Sequence, residues 1–130
     1  MTRIALVLSL ILLSACAPAG RPAPQSVEAP LAAVLRGPAG ETVLRGQVRR
    51  NPDGSAQLSA STTRGAACTG LFLAGGEGVI TCDGAEPVRL DVPPALYAEP
   101  SGQGLVRAGN TLVALGWGSG AEVPALRALF

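Results

Sequence analysis

The chain has 130 residues and a formal net charge of +1, with no histidine, no lysine and four aromatic side chains: Phe72, Tyr97, Trp117 and Phe130. This length allows one small domain whose core must be built from Val, Leu and Ala. The near-neutral balance leaves no basic excess to attract nucleic acid. The missing histidine removes the usual general base, the commonest metal ligand and the ordinary pH switch, so neither a metal nor another cofactor is expected.

Arg3 supplies a short positive start, and residues 4–13 form an apolar run broken only by Ser9. At about 1.5 Å per residue, this run has roughly half the length needed to cross a bilayer as a helix. It fits the apolar region of a signal peptide occupying residues 1–15. The run ends in Leu13-Ser14-Ala15-Cys16. That sequence resembles the lipobox of bacterial lipoprotein precursors, over residues 1–17 only. The resemblance implies cleavage before Cys16, a diacylglycerol on its thiol and further acylation of the new amine. Two or more acyl chains anchor stably where one does not. Membrane contact is therefore expected through the N-terminal lipid. Ala17 stands where lipoproteins retained in the inner membrane tend to carry aspartate, which implies an outer-membrane anchor facing the periplasm.

Residues 16–30 read as a tether. Pro18, Pro22, Pro24 and Pro30 favour extended backbone. Such a spacer reaches up to about 40 Å from the bilayer surface at about 3 Å per residue. The single domain is expected over residues 31–130.

Within that domain the apolar period is nearer two than 3.6. Strands are expected at 31–36 and 41–49, followed by a turn at Asn51-Pro-Asp-Gly54. In the next strand, 55–61, Ala56, Leu58 and Ala60 alternate with polar residues. Segments 68–73 and 78–82 flank Ala74-Gly-Gly-Glu77, a hairpin signal. Val88, Leu90 and Val92 alternate with Arg89 and Asp91 before Pro93-Pro94. Segments 104–107 and 111–116 form a last pair. Residues 124–130 suit either a short helix opened by Pro124 or a closing strand. The pattern is all-β, a small antiparallel barrel or sandwich of seven or eight short strands.

Once Cys16 is lipidated, Cys68 and Cys82 remain, and outside the cytoplasm such a pair is expected to form a disulfide. Pairing the strands about the Gly75-Gly76 turn sets the two opposite each other. Closing this fifteen-residue loop is worth about 3 kcal/mol in the chain-entropy model.

Candidate catalytic groups are poor. In Gly116-Trp-Gly-Ser-Gly120, Trp117 occupies a position where a nucleophile elbow needs glycine, and no histidine exists to activate Ser119. The carboxylates Glu77, Asp83, Glu86, Asp91 and Glu99 show no spacing that selects a glycosidase-like pair. Phe130 is a C-terminal phenylalanine, as in outer-membrane barrels, but the alternation before it fails at Pro124. Trp117 is expected to cap the core; alternatively, with Tyr97, it lines a recognition surface. The expectation is a non-catalytic envelope lipoprotein with a binding or structural role and an envelope protein as candidate partner. Periplasmic lysozyme inhibitors are similar in architecture, being small β-barrels on lipoprotein anchors with a disulfide, although no motif carries over. An enzyme acting on cell wall or lipid ranks last.

Overall fold

The computed structural model describes residues 26–93 and 99–130. Eight antiparallel strands follow in chain order: β1 (Val27–Gly37), β2 (Gly40–Arg50), β3 (Ala56–Thr62), β4 (Ala67–Phe72), β5 (Glu77–Cys82), β6 (Val88–Asp91), β7 (Gly102–Ala108) and β8 (Thr111–Trp117). A 3₁₀ turn (Gly118–Gly120) and one short helix, α1 (Val123–Arg127), complete the described chain. The expected all-β class is correct, and the open choice at the C-terminus resolves to a helix.

The strands order as β6-β5-β4-β3-β2-β1-β8-β7 in a single sheet. First and last strands pair, Leu31 with Trp117 through Arg36 with Leu112. The sheet ends, β6 and β7, lie alongside each other, so the sheet curls into a nearly closed up-and-down barrel. With eight strands the interior is just wide enough for side chains to fill.

Leu31, Ala33 and Leu35 point into the barrel with Leu44, Leu58, Ile80, Val113 and Leu115. The alternate residues Ala32 and Val34 are buried on the outer face under α1, with Val43, Ala114, Val123 and Leu126. This explains the unbroken apolar run from 31 to 35, because that stretch of β1 is covered on both faces. It also explains the Val43-Leu44 doublet, whose members serve opposite clusters.

β1 begins at Val27, so residues 27–30, read from composition as part of a tether, belong to the sheet. Pro30 pairs with Gln47 of β2 but lies one residue beyond the β1–β8 ladder. There only β2 flanks the strand, and an edge is where a sheet tolerates proline.

The turns follow their sequence chemistry. In the β2–β3 turn Gly54 N–H donates to Asn51 O at 3.0 Å, and the Asp53 carboxylate accepts from Ser55 N–H at 2.8 Å and Ser55 Oγ at 2.6 Å. These bonds hold the Asp53 carboxyl below its usual range, the Ser55 hydroxyl contributing most. Gly76 takes φ of 95° in the β4–β5 turn, a conformation that L side chains rarely adopt.

After Trp117 the chain doubles back over the outer face of β8. A Cβ at Gly116 would collide with the carbonyl of Gly120, so glycine is what lets the 3₁₀ turn close onto the strand. α1 is then pinned to the sheet. Leu126 is fully buried, Arg127 pairs with Glu41 at 2.8 Å, and the Arg36 guanidinium lies 4.2 Å from the Phe130 ring centroid.

Candidate functional site

In an up-and-down barrel, alternate loops gather at the same end. The β2–β3 and β4–β5 turns share one end with the start of β1, while the β1–β2, β3–β4, β5–β6 and β7–β8 turns share the other. The two ends differ in packing and in polarity.

The end where β1 starts is filled. Phe72 and Trp117 are buried there, beside an apolar void of only about 40 Å³. Trp117 Nε1–H donates to Glu99 O at 2.9 Å, and Arg50 donates to the same carbonyl at 3.1 Å. Ser119 N–H donates to Ser101 Oγ at 3.0 Å. The glycine-rich run around Ser119 is therefore a folded closure. Trp117 is 4% exposed and caps the core, so the alternative that it lines an exposed recognition surface is corrected. Its one polar atom is satisfied internally, and the ring offers no face to a partner. Tyr97 and Cys16 lie outside the described residues.

The opposite end is open. An open cavity of about 530 Å³ enters the barrel there, within the range of ordinary ligand sites. Its apolar floor is Leu35, Leu44 and Ile80, buried against the interior. Thr42, Thr62 and Thr63 supply hydroxyls, Arg64, Asp83 and Glu86 supply charge at the lips, and Glu41, paired with Arg36 and Arg127, lines the edge.

Both charged lips are held by backbone bonds at their roots. In the β3–β4 turn Thr62 N–H donates to Ala66 O, Gly65 N–H donates to Thr62 O, and Ala66 N–H donates to Thr62 Oγ. The β5–β6 turn is joined to it by Asp83 N–H donating to Ala67 O at 2.9 Å. At that junction Cys68 and Cys82 form the expected disulfide, with Cα atoms 4.0 Å apart as direct cross-strand partners. Three neighbouring strand ends are thereby stapled at the rim of the mouth.

The five carboxylates weighed from sequence divide between the two ends. Asp83 and Glu86 line the mouth, whereas Glu77 and Asp91 oppose each other across β5–β6 near the closed end, and Glu99 follows there. No group of three His, Cys, Asp or Glu among the described residues could hold a metal ion. No helix among them is long and apolar enough to cross a membrane.

A shallower depression of about 610 Å³ lies on the outer face of β2–β5, where Gln47, Ser59, Thr69 and Thr81 form a polar row. The Arg49–Glu28 ion pair, 2.9 Å, closes its edge. Val48, Leu58, Leu71 and Val79 give it apolar lining, but it lies open on the outside of the barrel, and the more enclosed mouth is the better candidate.

Sequence reasoning missed the mouth residues Thr42, Thr62 and Arg64. They come from separate turns and share no local motif. The parity of the meander was the available signal, because it assigns these turns to one end of any up-and-down barrel. No family model matches the chain, and no curated protein or solved structure matches it.

Proposed function

We propose that the chain is a lipid-anchored, non-catalytic binding module of the bacterial envelope that presents the open barrel mouth to its ligand. One observation carries this reading: the chain enters the barrel at the end opposite the mouth. Ser26 Oγ is bonded to Asn51 in the β2–β3 turn, and β1 then runs eleven residues toward the mouth. A strand of that length spans about 35 Å. A tether leading back from Ser26 to a lipidated Cys16 leaves the closed, Trp117-capped end nearer the bilayer and the mouth free in the periplasm.

The missing histidine and lysine support the non-catalytic part, since an activated nucleophile needs a neighbouring base. The rigid, disulfide-rooted lips support binding, since pre-ordered groups lose less entropy when a ligand arrives.

The test fills the mouth. The Thr62→Trp variant of the full-length chain is expected to be exported, lipidated and folded yet to reproduce the deletion phenotype. The outer-face variant Gln57→Trp should behave as wild type. Full complementation by folded Thr62→Trp would overturn the reading.

A second reading, a lysozyme-inhibitor-like module, draws on the combination of an eight-stranded barrel with the Cys68–Cys82 bridge. It requires the purified protein to inhibit a lysozyme at near-stoichiometric amounts.

A further inference from the structure

The lips of the mouth carry opposite charges that do not neutralise each other. Arg64 sits on the β3–β4 turn, and Asp83 and Glu86 sit on the neighbouring β5–β6 turn. Among the described residues none of the three takes part in an ion pair. Other arginines do meet carboxylates: Arg36 and Arg127 on Glu41, which also lines the mouth, and Arg49 on Glu28. Beside the paired Glu41, the mouth thus holds one cation and two anions outside any ion pair around an apolar floor, with both turns fixed at their roots by backbone bonds and by the disulfide.

Resting on the binding-module reading, we infer that the mouth takes a small zwitterion bearing an aliphatic part. Its ammonium faces Asp83 and Glu86, its anionic group faces Arg64, and its carbon skeleton lies on Leu35, Leu44 and Ile80. Each ligand charge then meets a partner already in place, and a bound charge without a counter-charge would be desolvated at a cost. A singly charged amphiphile satisfies one lip and leaves the other unpaired. The threonine hydroxyls of Thr42 and Thr62 can donate to or accept from either polar group. Two sources share this chemistry: a free amino acid or short peptide, and an aminophospholipid headgroup.

The experiment uses the full lipidated protein in neutral detergent, titrated by calorimetry and by amide chemical shifts. The probes are leucine, leucinamide, N-acetylleucine and 3-methylbutanol, with a short-chain phosphatidylethanolamine below its micelle concentration. Leucine is expected to bind at the mouth at least about tenfold more tightly than its two singly charged analogues, the loss typical of an unmatched charge. Arg64→Gln should abolish the preference for leucine over leucinamide. Asp83→Asn with Glu86→Gln should abolish the preference over N-acetylleucine. Tighter binding of phosphatidylethanolamine than of leucine supports the same chemistry and names the lipid as its source; the reverse order names the amino acid or peptide. Equal affinity for all four leucine-type probes, no binding by either zwitterion, or a preference that survives Arg64→Gln overturns the inference. Such a result leaves the module reading standing so long as Thr62→Trp still mimics deletion, and complementation by Thr62→Trp removes that reading separately.

Discussion

The indole of Trp117 occupies the space that a side chain at Gly102 would need: the two are direct partners across β7–β8, and a Cβ at Gly102 would stand 2.5 Å from the ring. Phe72 has the same relation to Gly78 across β4–β5. The two large interior rings are each accommodated by a glycine on the adjacent strand, which lets a barrel poor in aromatics hold them without distorting the ladder.

Gly102→Ala should therefore destabilise the domain by about 1–3 kcal/mol through overpacking, although alanine suits a strand better than glycine. Trp117→Phe keeps an aromatic body but leaves Glu99 O one donor short and widens the void beside it, costing about 1–3 kcal/mol. Chemical denaturation of both variants checks the pair. A stabilised Gly102→Ala protein would show that the ring does not rest where the packing puts it.

Removing the disulfide with Cys68→Ala and Cys82→Ala should cost about 2–5 kcal/mol. The loss should fall first on the mouth, because the bridge ties the last residue of β5 to β4 at its lip. Amide exchange should show the β3–β4 and β5–β6 turns losing protection before the Trp117 end does. Thiol trapping of the native protein should find both cysteines blocked.

Leu126 is fully buried between α1 and the outer face of β1 and β8. Leu126→Ala is expected to cost about 2–4 kcal/mol. It should also expose Ala32 and Val34, an apolar strip that α1 covers. A thermal melt gives the loss, and increased dye binding to apolar surface reports the uncovered strip.

Glu41 receives hydrogen bonds from Arg36 and Arg127, the Arg36 bond contributing most, and its carboxyl is held below the usual value of 4.5. A carboxyl whose pKa is lower in the folded than in the unfolded chain stabilises the fold when ionised. That contribution is present above the ordinary carboxylate range and is lost as the pH falls through it. Asp53 acts with the same sign. Stability should therefore decline from about pH 5 downward, and Glu41→Gln should flatten part of that decline. Melting curves across pH 3–7 test this; an acid dependence unchanged in the variant would exclude Glu41 as a contributor.

The lipobox resemblance predicts an acylated Cys16 at the mature N-terminus, visible by mass spectrometry. Cys16→Ser should release the protein from membranes or stall the precursor.

Much of the domain was legible in the chain itself. Period-two alternation at Ala56, Leu58 and Ala60 marked β3, and Asn51-Pro-Asp-Gly54 marked a turn. Two cysteines flanking a Gly-Gly hairpin marked a cross-strand bridge, because each of these signals acts between near neighbours. Other features depended on which strands meet. Residues 27–30 looked like tether, since proline argues against a strand until a sheet edge is there to receive it. Trp117 could be read as surface or core, since one exposed-looking glycine run is compatible with both until Gly102 is brought beneath the ring. Arg64 carried no signal at all. Its turn came beside Asp83 through the pairing of β4 with β5, and it acquired a setting only when the closing of β1 onto β8 curled the sheet over a floor of side chains from β1, β2 and β5. Local sequence determines strands and turns through short-range sterics and hydrogen bonds, whereas the mouth is a product of barrel closure, a relation among residues far apart in the chain.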